Sequence, residues 1–443
     1  MTSGAASDRA ARLLPAARAV LAANWTGSST VPSRRQYPHQ WCWDAAYVAI
    51  GWSWLDTGRA EQELESLLGG QWADGRVPHI VFHPEVPEEA YFPGPRFWRS
   101  PSAAGAPAGV QTSGLTQPPL HARAALEVAQ RIGDGDAARS FLRRLYDRLA
   151  AQLAYLLERR DAGGAGLAAI VHPWESGLDD SPAWDAPLAR VELPPEGVAP
   201  YERQDRRHVA ADERPSDAAY DRFVHLARAY RDGGYADERL AERCEFLVED
   251  PLFNAILLWS TLAMVEIAER IGADAGRHRE AAAGLHAALL SRLWDGERRR
   301  FLPRDLAGGG LLAPRTILSL GPLLDPDLPA DVADALAAEL ASPHFRSEGG
   351  LGVASSDLLA PEFDRRRYWR GPIWGILNWL LSRGLRQQGL ASAAEALEAT
   401  TVGLVERAGM REYFDPLTGE GRGGTDFSFT AAVFLDIVSQ RSG

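Results

Sequence analysis

The chain has 443 residues with 47 Lys+Arg against 59 Asp+Glu, and its formal net charge of −12 argues against a nucleic-acid footprint. Hydrophobic residues make up 46% and charged residues 24%, a globular balance that excludes a disordered chain. Every one of the 47 cations is arginine. The only cysteines, Cys42 and Cys244, lie far apart and outside any CxxC, so neither a disulfide framework nor a thiolate metal site is expected and a reducing, cytoplasmic setting fits.

The first helical stretch, 8–23, is broken by arginines and Pro15 and is too polar for a signal-peptide core; no run of 18 residues is wholly apolar, so no membrane association is expected. Alternating Val/Ile runs are missing, whereas Ala/Leu/Arg/Glu segments with apolar residues three and four apart recur. They predict helices at 8–23, 44–55, 59–69, 118–132, 140–160, 216–232, 236–246, 251–271, 275–293, 329–341, 372–389, 391–408 and 428–440. In 140–160, Phe141, Leu142, Leu145, Leu149, Leu153 and Leu156 form one stripe with arginines opposite, the mark of a helix packed on one side. The segment 251–271 starts with Pro at a favourable first position and is apolar nearly all round, so it should be buried on several faces. Buried and one-sided helices in alternation suggest a closed double layer, an all-α toroid forming a single domain over 1–443. Irregular segments around 71–117, 160–214 and 343–371, rich in Pro, Gly, Trp and Tyr, are expected to cap its active-site end. Gly308, Gly309 and Gly310 make only a flexible turn, with no following Lys as a phosphate loop needs.

Tryptophan is an informative count, at 14: an indole offers a flat apolar face and one donor, which suits a sugar or other small polar ligand. Trp41-Cys42-Trp43-Asp44 sets two indoles beside a carboxylate before a helix that Asp44 could cap. His172 to Asp185 holds Glu175, Asp179, Asp180 and Asp185 with Trp174 and Trp184, on a path set by Gly177 and Pro182; apolar walls and neighbouring charge raise a carboxyl pKa, as acid catalysis requires. Glu412 stands between Arg411 and Tyr413, and Tyr368-Trp369-Arg370-Gly371-Pro372-Ile373-Trp374 forms a third aromatic cluster. His79 and His83 are four apart, but Pro78 and Pro84 bracket them and no HExxH carboxylate follows, so no metal and no cofactor is expected.

Together these segments resemble the glycoside hydrolases of (α/α)6-barrel type that include trehalases and, in family 63, the mannosylglycerate and glucosylglycerate hydrolases. The resemblance spans nearly the whole chain, through Tyr37 to Asp44, Gln71-Trp72, Val77 to Phe82, Tyr91 to Pro95, Thr112 to Pro119, Glu175-Ser176-Gly177, Arg214 to Asp217, Tyr368 to Pro372 and Glu412-Tyr413. It implies an inverting hydrolase of 2-O-α-D-hexosylglycerates, with Asp179 as general acid and Glu412 as the base that activates water, their carboxyls about 6.5 to 9.5 Å apart. It places Tyr37, Trp41, Trp43, Asp44, Tyr91, Gln117 and Trp374 around the hexose, with Glu175 and Gly177 from the acid's motif also at the substrate. Arg214, Tyr220, Tyr368 and Trp369 then meet the aglycone. In an acidic protein a glycerate carboxylate needs a local cation, and the planar fork of Arg214 suits it, with Arg370 a second candidate.

Two positions depart from the family pattern. Asp180 replaces an expected Asn and adds a charge that should favour the protonated form of Asp179. Phe427 replaces a Gln associated with glucose-preferring members, which leans the hexose toward mannose. Other readings stay open: a trehalase-type α-glucosidase; a terpenoid cyclase, whose Mg²⁺-binding Asp motif would need a helix that Pro182 interrupts; and a non-catalytic sugar-binding toroid, which has no use for both Asp179 and Glu412. The partner in each case is a small molecule, with a homo-oligomer left open.

Overall fold

The computed structural model describes residues 3–441, with side chains described from Ala10 onward. Twelve α-helices carry the architecture: α1 (Ser3–Asn24), α2 (Cys42–Ser53), α3 (Thr57–Gly69), α4 (His121–Ile132), α5 (Asp136–Ala154), α6 (Asp217–Asp232), α7 (Pro251–Ile271), α8 (Gly276–Leu293), α9 (Ala330–Ala341), α10 (Gly375–Gln387), α11 (Ala391–Ala408) and α12 (Ser428–Gln440). Local chemistry sets several of their ends. The Asp250 carboxylate accepts from the Leu252 and Phe253 amides at 2.8 and 3.4 Å, Pro251 follows at the first helical position, and Gly272 closes α7 in the left-handed conformation.

The inner layer is a closed ring. Helix α2 packs on α4, α4 on α7, α7 on the 3₁₀ segment Ile317–Leu324, that segment on α10, α10 on α12, and α12 back on α2. Around it, α3 and α5 cover α2, α4 and α7; α8 backs α7, α9 backs the 3₁₀ segment, α11 backs α10, and α1 lies on α11 and α12. This is the (α/α)6 barrel. Helix α7 is long and apolar enough to cross a membrane by length and composition alone, but its side chains are buried inside the protein as an inner wall of the ring.

Three expected helices are corrected and one further element is found. Helix α2 begins at Cys42 with Trp41 at its cap position, so Asp44 sits inside the first turn and does not cap it. The helix expected over 372–389 begins at Gly375, because Ile373 and Phe414 exchange backbone hydrogen bonds of 2.8 and 2.9 Å that hold 372–374 extended. The segment 236–246 keeps only the turn Leu240–Arg243: Tyr235 and Arg239 take positive φ, and Asp237 is drawn inward to buried arginines. The 3₁₀ segment Ile317–Leu324 is not among the expected elements, since Gly321-Pro322 reads as a break. Leu252 approaches so closely that a Cβ at Gly321 would lie 2.7 Å from its Cα.

Candidate active site

The connections at one mouth of the ring converge on a single pocket. Asp179, Glu412, Tyr37, Trp41, Trp43, Asp44, Tyr91, Gln117, Gly177, Arg214, Tyr220, Tyr368, Trp369 and Trp374 all line it. They come from 33–44, from the three long irregular segments, from the start of α6, from Trp374 at the head of α10 and from a further connection, 409–427, whose hairpin pairs Tyr413–Phe414 with Gly421–Arg422.

The Trp41–Asp44 segment is extended, then helical. Gln40–Trp41 pairs antiparallel with Ile80–Val81, which directs Trp41 against Tyr37 and Tyr91, with ring centroids at 5.2 and 5.0 Å. The Trp43 amide donates to Gln117 Oε1 at 3.3 Å, tying Gln117 to the head of α2. Asp44 faces the pocket from the first turn of α2, and burial pushes its carboxyl up to about 8.

Asp179 stands on a turn built by its neighbours. His172 Nδ1 accepts from the Trp174 amide at 2.9 Å while Nε2 meets the Phe223 carbonyl at 2.8 Å, which assigns a neutral ring protonated on Nε2. The Ser176 hydroxyl accepts from the Leu178 amide, and the Trp184 indole donates to the Leu178 carbonyl. Gly177 closes the Pro173–Ser176 turn at φ +76°, where a Cβ would lie 1.9 Å from the Trp43 ring, so glycine is required here by contact as well as by conformation. The Asp179 carboxyl is pushed up to about 8, chiefly by burial and next by the charge of Asp180. That is the direction expected from Asp180. Asp180 itself is held by Arg367 at 2.9 Å and Arg370 at 3.3 Å, and Arg370 also clasps Asp185, so Arg370 is committed to a structural network and does not face the pocket.

Glu412 has a different setting. Its Oε2 accepts from Arg214 Nη2 at 2.7 Å and the Gly424 amide at 2.8 Å; its Oε1 accepts from Tyr37 at 3.1 Å and Arg214 Nη1 at 3.3 Å. Arg214 Nη1 also donates to the Tyr37 hydroxyl at 2.8 Å, and its guanidinium lies 4.7 Å over the Tyr368 ring. The fork of Arg214 is thus engaged with Glu412 and Tyr37 through its terminal nitrogens, and its buried Nε has no partner among the described residues. Tyr368 holds φ +37°, a strained conformation for a non-glycine residue. Behind it Trp369 and Trp374 stack with centroids 3.5 Å apart and planes within 8°, and Trp374 in turn stacks on Tyr413.

Glu175 is corrected outright. It is fully buried beneath the pocket and outside its lining, bidentate to Arg160 at 2.8 Å through each oxygen, and accepts from the Val171 and Thr116 amides, so no ligand in the pocket reaches it. Pocket residues that sequence reasoning did not place there include His79, Trp174, Asp205 and Phe429. The patterns around His79 and Trp174 held the signal; Asp205 lies in a polar segment that carries none. His79 bonds Ser113 at 2.6 Å and His83 meets Ser29 at 3.1 Å, so the two histidines take separate partners.

A helical toroid with two acidic groups in unlike settings among aromatic walls has the make-up of an (α/α)6-barrel glycoside hydrolase. A sequence model of the mannosylglycerate hydrolase MGH1-like glycoside hydrolase domain matches residues 37–430, and the chain belongs to that family. It is 40% identical over 432 residues to the mannosylglycerate hydrolase of Rubrobacter radiotolerans, with 96% of each chain covered. It is 37% identical over 443 residues to the glucosylglycerate hydrolase of Mycolicibacterium hassiacum, covering 95% of this chain and 97% of that one. The crystal structure of the GH63 mannosylglycerate hydrolase from Thermus thermophilus in complex with Tris and D-glycerate matches at a TM-score of 0.88 and 39% identity, covering 96% of this chain and 99% of that chain. Neutral trehalase from Saccharomyces cerevisiae shares the fold at a TM-score of 0.58 and 15% identity, over 94% of this chain and 73% of that one.

Proposed function

We propose that the chain hydrolyses 2-O-α-D-mannosyl-D-glycerate first and 2-O-α-D-glucosyl-D-glycerate second, releasing hexose and D-glycerate with inversion at the anomeric carbon. The observation that carries this reading is the contrast between Asp179, pushed up to about 8 by burial and Asp180, and Glu412, clamped by Arg214. A carboxyl kept protonated near neutral pH is fit to donate a proton to the glycosidic oxygen. A second carboxylate on the pocket lining, whose Oε1 is met only by the longer contacts from Tyr37 and Arg214 at 3.1 and 3.3 Å, is placed to take one from water. The names of the relatives and the D-glycerate in the Thermus thermophilus structure support the substrate class.

In the reaction, Asp179 protonates the leaving glycerate oxygen as the C–O bond breaks, while Glu412 removes a proton from a water attacking the opposite face. Trp43, Asp44, Tyr37, Trp41, Tyr91, Gln117 and Trp374 hold the hexose, with aromatic faces against its apolar side. Tyr220, Tyr368 and Trp369 meet the glycerate, and the unpartnered Nε–H of Arg214 is the donor for its carboxylate. Phe427 on the pocket wall favours mannose. The whole chain acts as one catalytic domain with its long connections as the cap, on a small solute in the cytoplasm.

Incubation with mannosylglycerate, glucosylglycerate and trehalose, with the first-formed anomer followed by NMR, tests the proposal. Release of β-hexose from the glycerates with trehalose left intact is expected; α-hexose as first product would refute inversion, and preference for trehalose would refute the substrate.

A further inference from the structure

A second cleft, of about 360 Å³, lies behind the wall that carries Glu412. Neighbouring residues face opposite ways across that wall. Tyr37 and Glu412 line the active pocket, while Gln36 and Arg411 line the cleft, and Gly423-Gly424 forms its floor. The Gly424 amide donates to Glu412 Oε2 on the other side at 2.8 Å.

The chemistry of the cleft is cationic and unsatisfied. Arg35 is exposed and has no carboxylate partner among the described residues. Arg411 is half-buried, and among the described residues its Nη2 donates only to the Gly421 carbonyl, at 3.3 Å. The one carboxylate in the lining, Glu213, is already matched: Arg422 lies at 3.4 Å, Arg366 at 3.8 Å, and the Gly423 amide donates to it at 3.0 Å. Gln36 is only 4% exposed, yet both its amide nitrogen and its amide oxygen lack a partner. Leaving both ends of a buried amide unpaired is costly unless something in the cleft meets them.

We infer that this cleft binds a small oxyanion, a phosphate or a carboxylate. The Arg35 and Arg411 guanidinium groups supply the charge and the Gln36 amide donates a neutral hydrogen bond. An anion seated there lies one backbone strand away from the base and outside the pocket that holds the sugar.

Calorimetric titration of the full chain with inorganic phosphate, and separately with acetate, tests this, and the tighter binder identifies which oxyanion the cleft prefers. One saturable phosphate per chain is expected, weakened by added NaCl as a charge-based contact must be. Binding should be at least about tenfold weaker in Arg35→Ala/Arg411→Ala, as loss of charge-assisted hydrogen bonds implies. Arg35→Ala alone, at an exposed position, and Gln36→Leu give the same reading if the double variant misfolds. Absence of saturable phosphate binding, or equal affinity in a folded variant, would overturn the inference and leave the cleft holding water only.

Discussion

Arg214 and Glu412 form a bidentate buried pair, Nη2 to Oε2 at 2.7 Å and Nη1 to Oε1 at 3.3 Å, and Tyr37 bridges them. The pair ties the fate of the catalytic base to the cation expected to serve the glycerate alone. Arg214→Ala leaves a buried carboxylate charge unmatched, so kcat should fall about a hundredfold or more on hexosylglycerate and on a neutral α-mannoside alike. KM should rise in addition only for the hexosylglycerate. Steady-state kinetics on both substrates checks this; an unchanged kcat on the neutral mannoside would separate Arg214 from the base.

Asp179→Asn removes the transferable proton and should lower kcat by about 10²–10⁴-fold while substrate still binds. Because the acid works protonated and its carboxyl sits at about 8, kcat/KM of the native chain should decline as pH rises through that value. Asp180→Asn takes away the neighbouring negative charge and frees Arg367 and Arg370, and both changes favour ionised Asp179. The alkaline limb should therefore move to lower pH, a shift read directly from the pH profile of kcat/KM.

Gly177→Ala meets the Trp43 ring at 1.9 Å on a left-handed backbone. Either the indole or the Asp179 turn must give way, and a displacement of this size should reduce kcat/KM by about a hundredfold. Near-UV circular dichroism of the folded variant, together with its kinetics, would show whether Trp43 has moved; native values on both would contradict the contact.

Arg160 has Glu175 on one side and Asp237 at 3.1 Å on the other, all three out of solvent. Arg160→Met strands Glu175 without a cation, while Asp237 keeps Arg76 at 2.9 Å, and should cost about 3–5 kcal/mol of stability, measured by chemical denaturation. Replacing Glu175 by Gln in the same chain should recover part of that loss, whereas additive losses would mean the two residues do not act as a pair.

Phe427 packs edge-on to Tyr37 at 5.8 Å and beside Phe429 at 4.4 Å in the pocket wall. Phe427→Gln brings a donor and an acceptor to that wall and should raise the ratio of kcat/KM for glucosylglycerate over mannosylglycerate. Competition between the two substrates measures the ratio; no change would remove Phe427 from the choice of hexose.

Periodicity made the ring legible, because inner helices such as α7 and α12 are apolar all round and outer ones such as α5 carry a single stripe. It could not show that Ile317–Leu324 completes the inner layer, since Gly321-Pro322 marks a break in any local reading and only the approach of Leu252 explains it. The resemblance to the family brought Asp179 and Glu412 forward from opposite halves of the chain. What it could not supply was pairing: Glu175 and Asp179 share one motif, and nothing local says that the first is consumed by Arg160 while the second faces the pocket. Arg214 is a similar case, its partner lying 198 residues away.

Every arginine clasp around this pocket, from Arg214 on Glu412 to Arg370 on Asp180 and Arg160 on Glu175, is made by a guanidinium, because the chain holds no lysine. A guanidinium keeps its charge to about pH 12, so these clasps are permanent on the cationic side and open only through their carboxylates. Amine-directed reagents such as succinimidyl esters thus find no side chain to acylate, and reagents of that kind can tether an amine-reactive ligand to a lysine introduced at one chosen position without background labelling of any other side-chain amine.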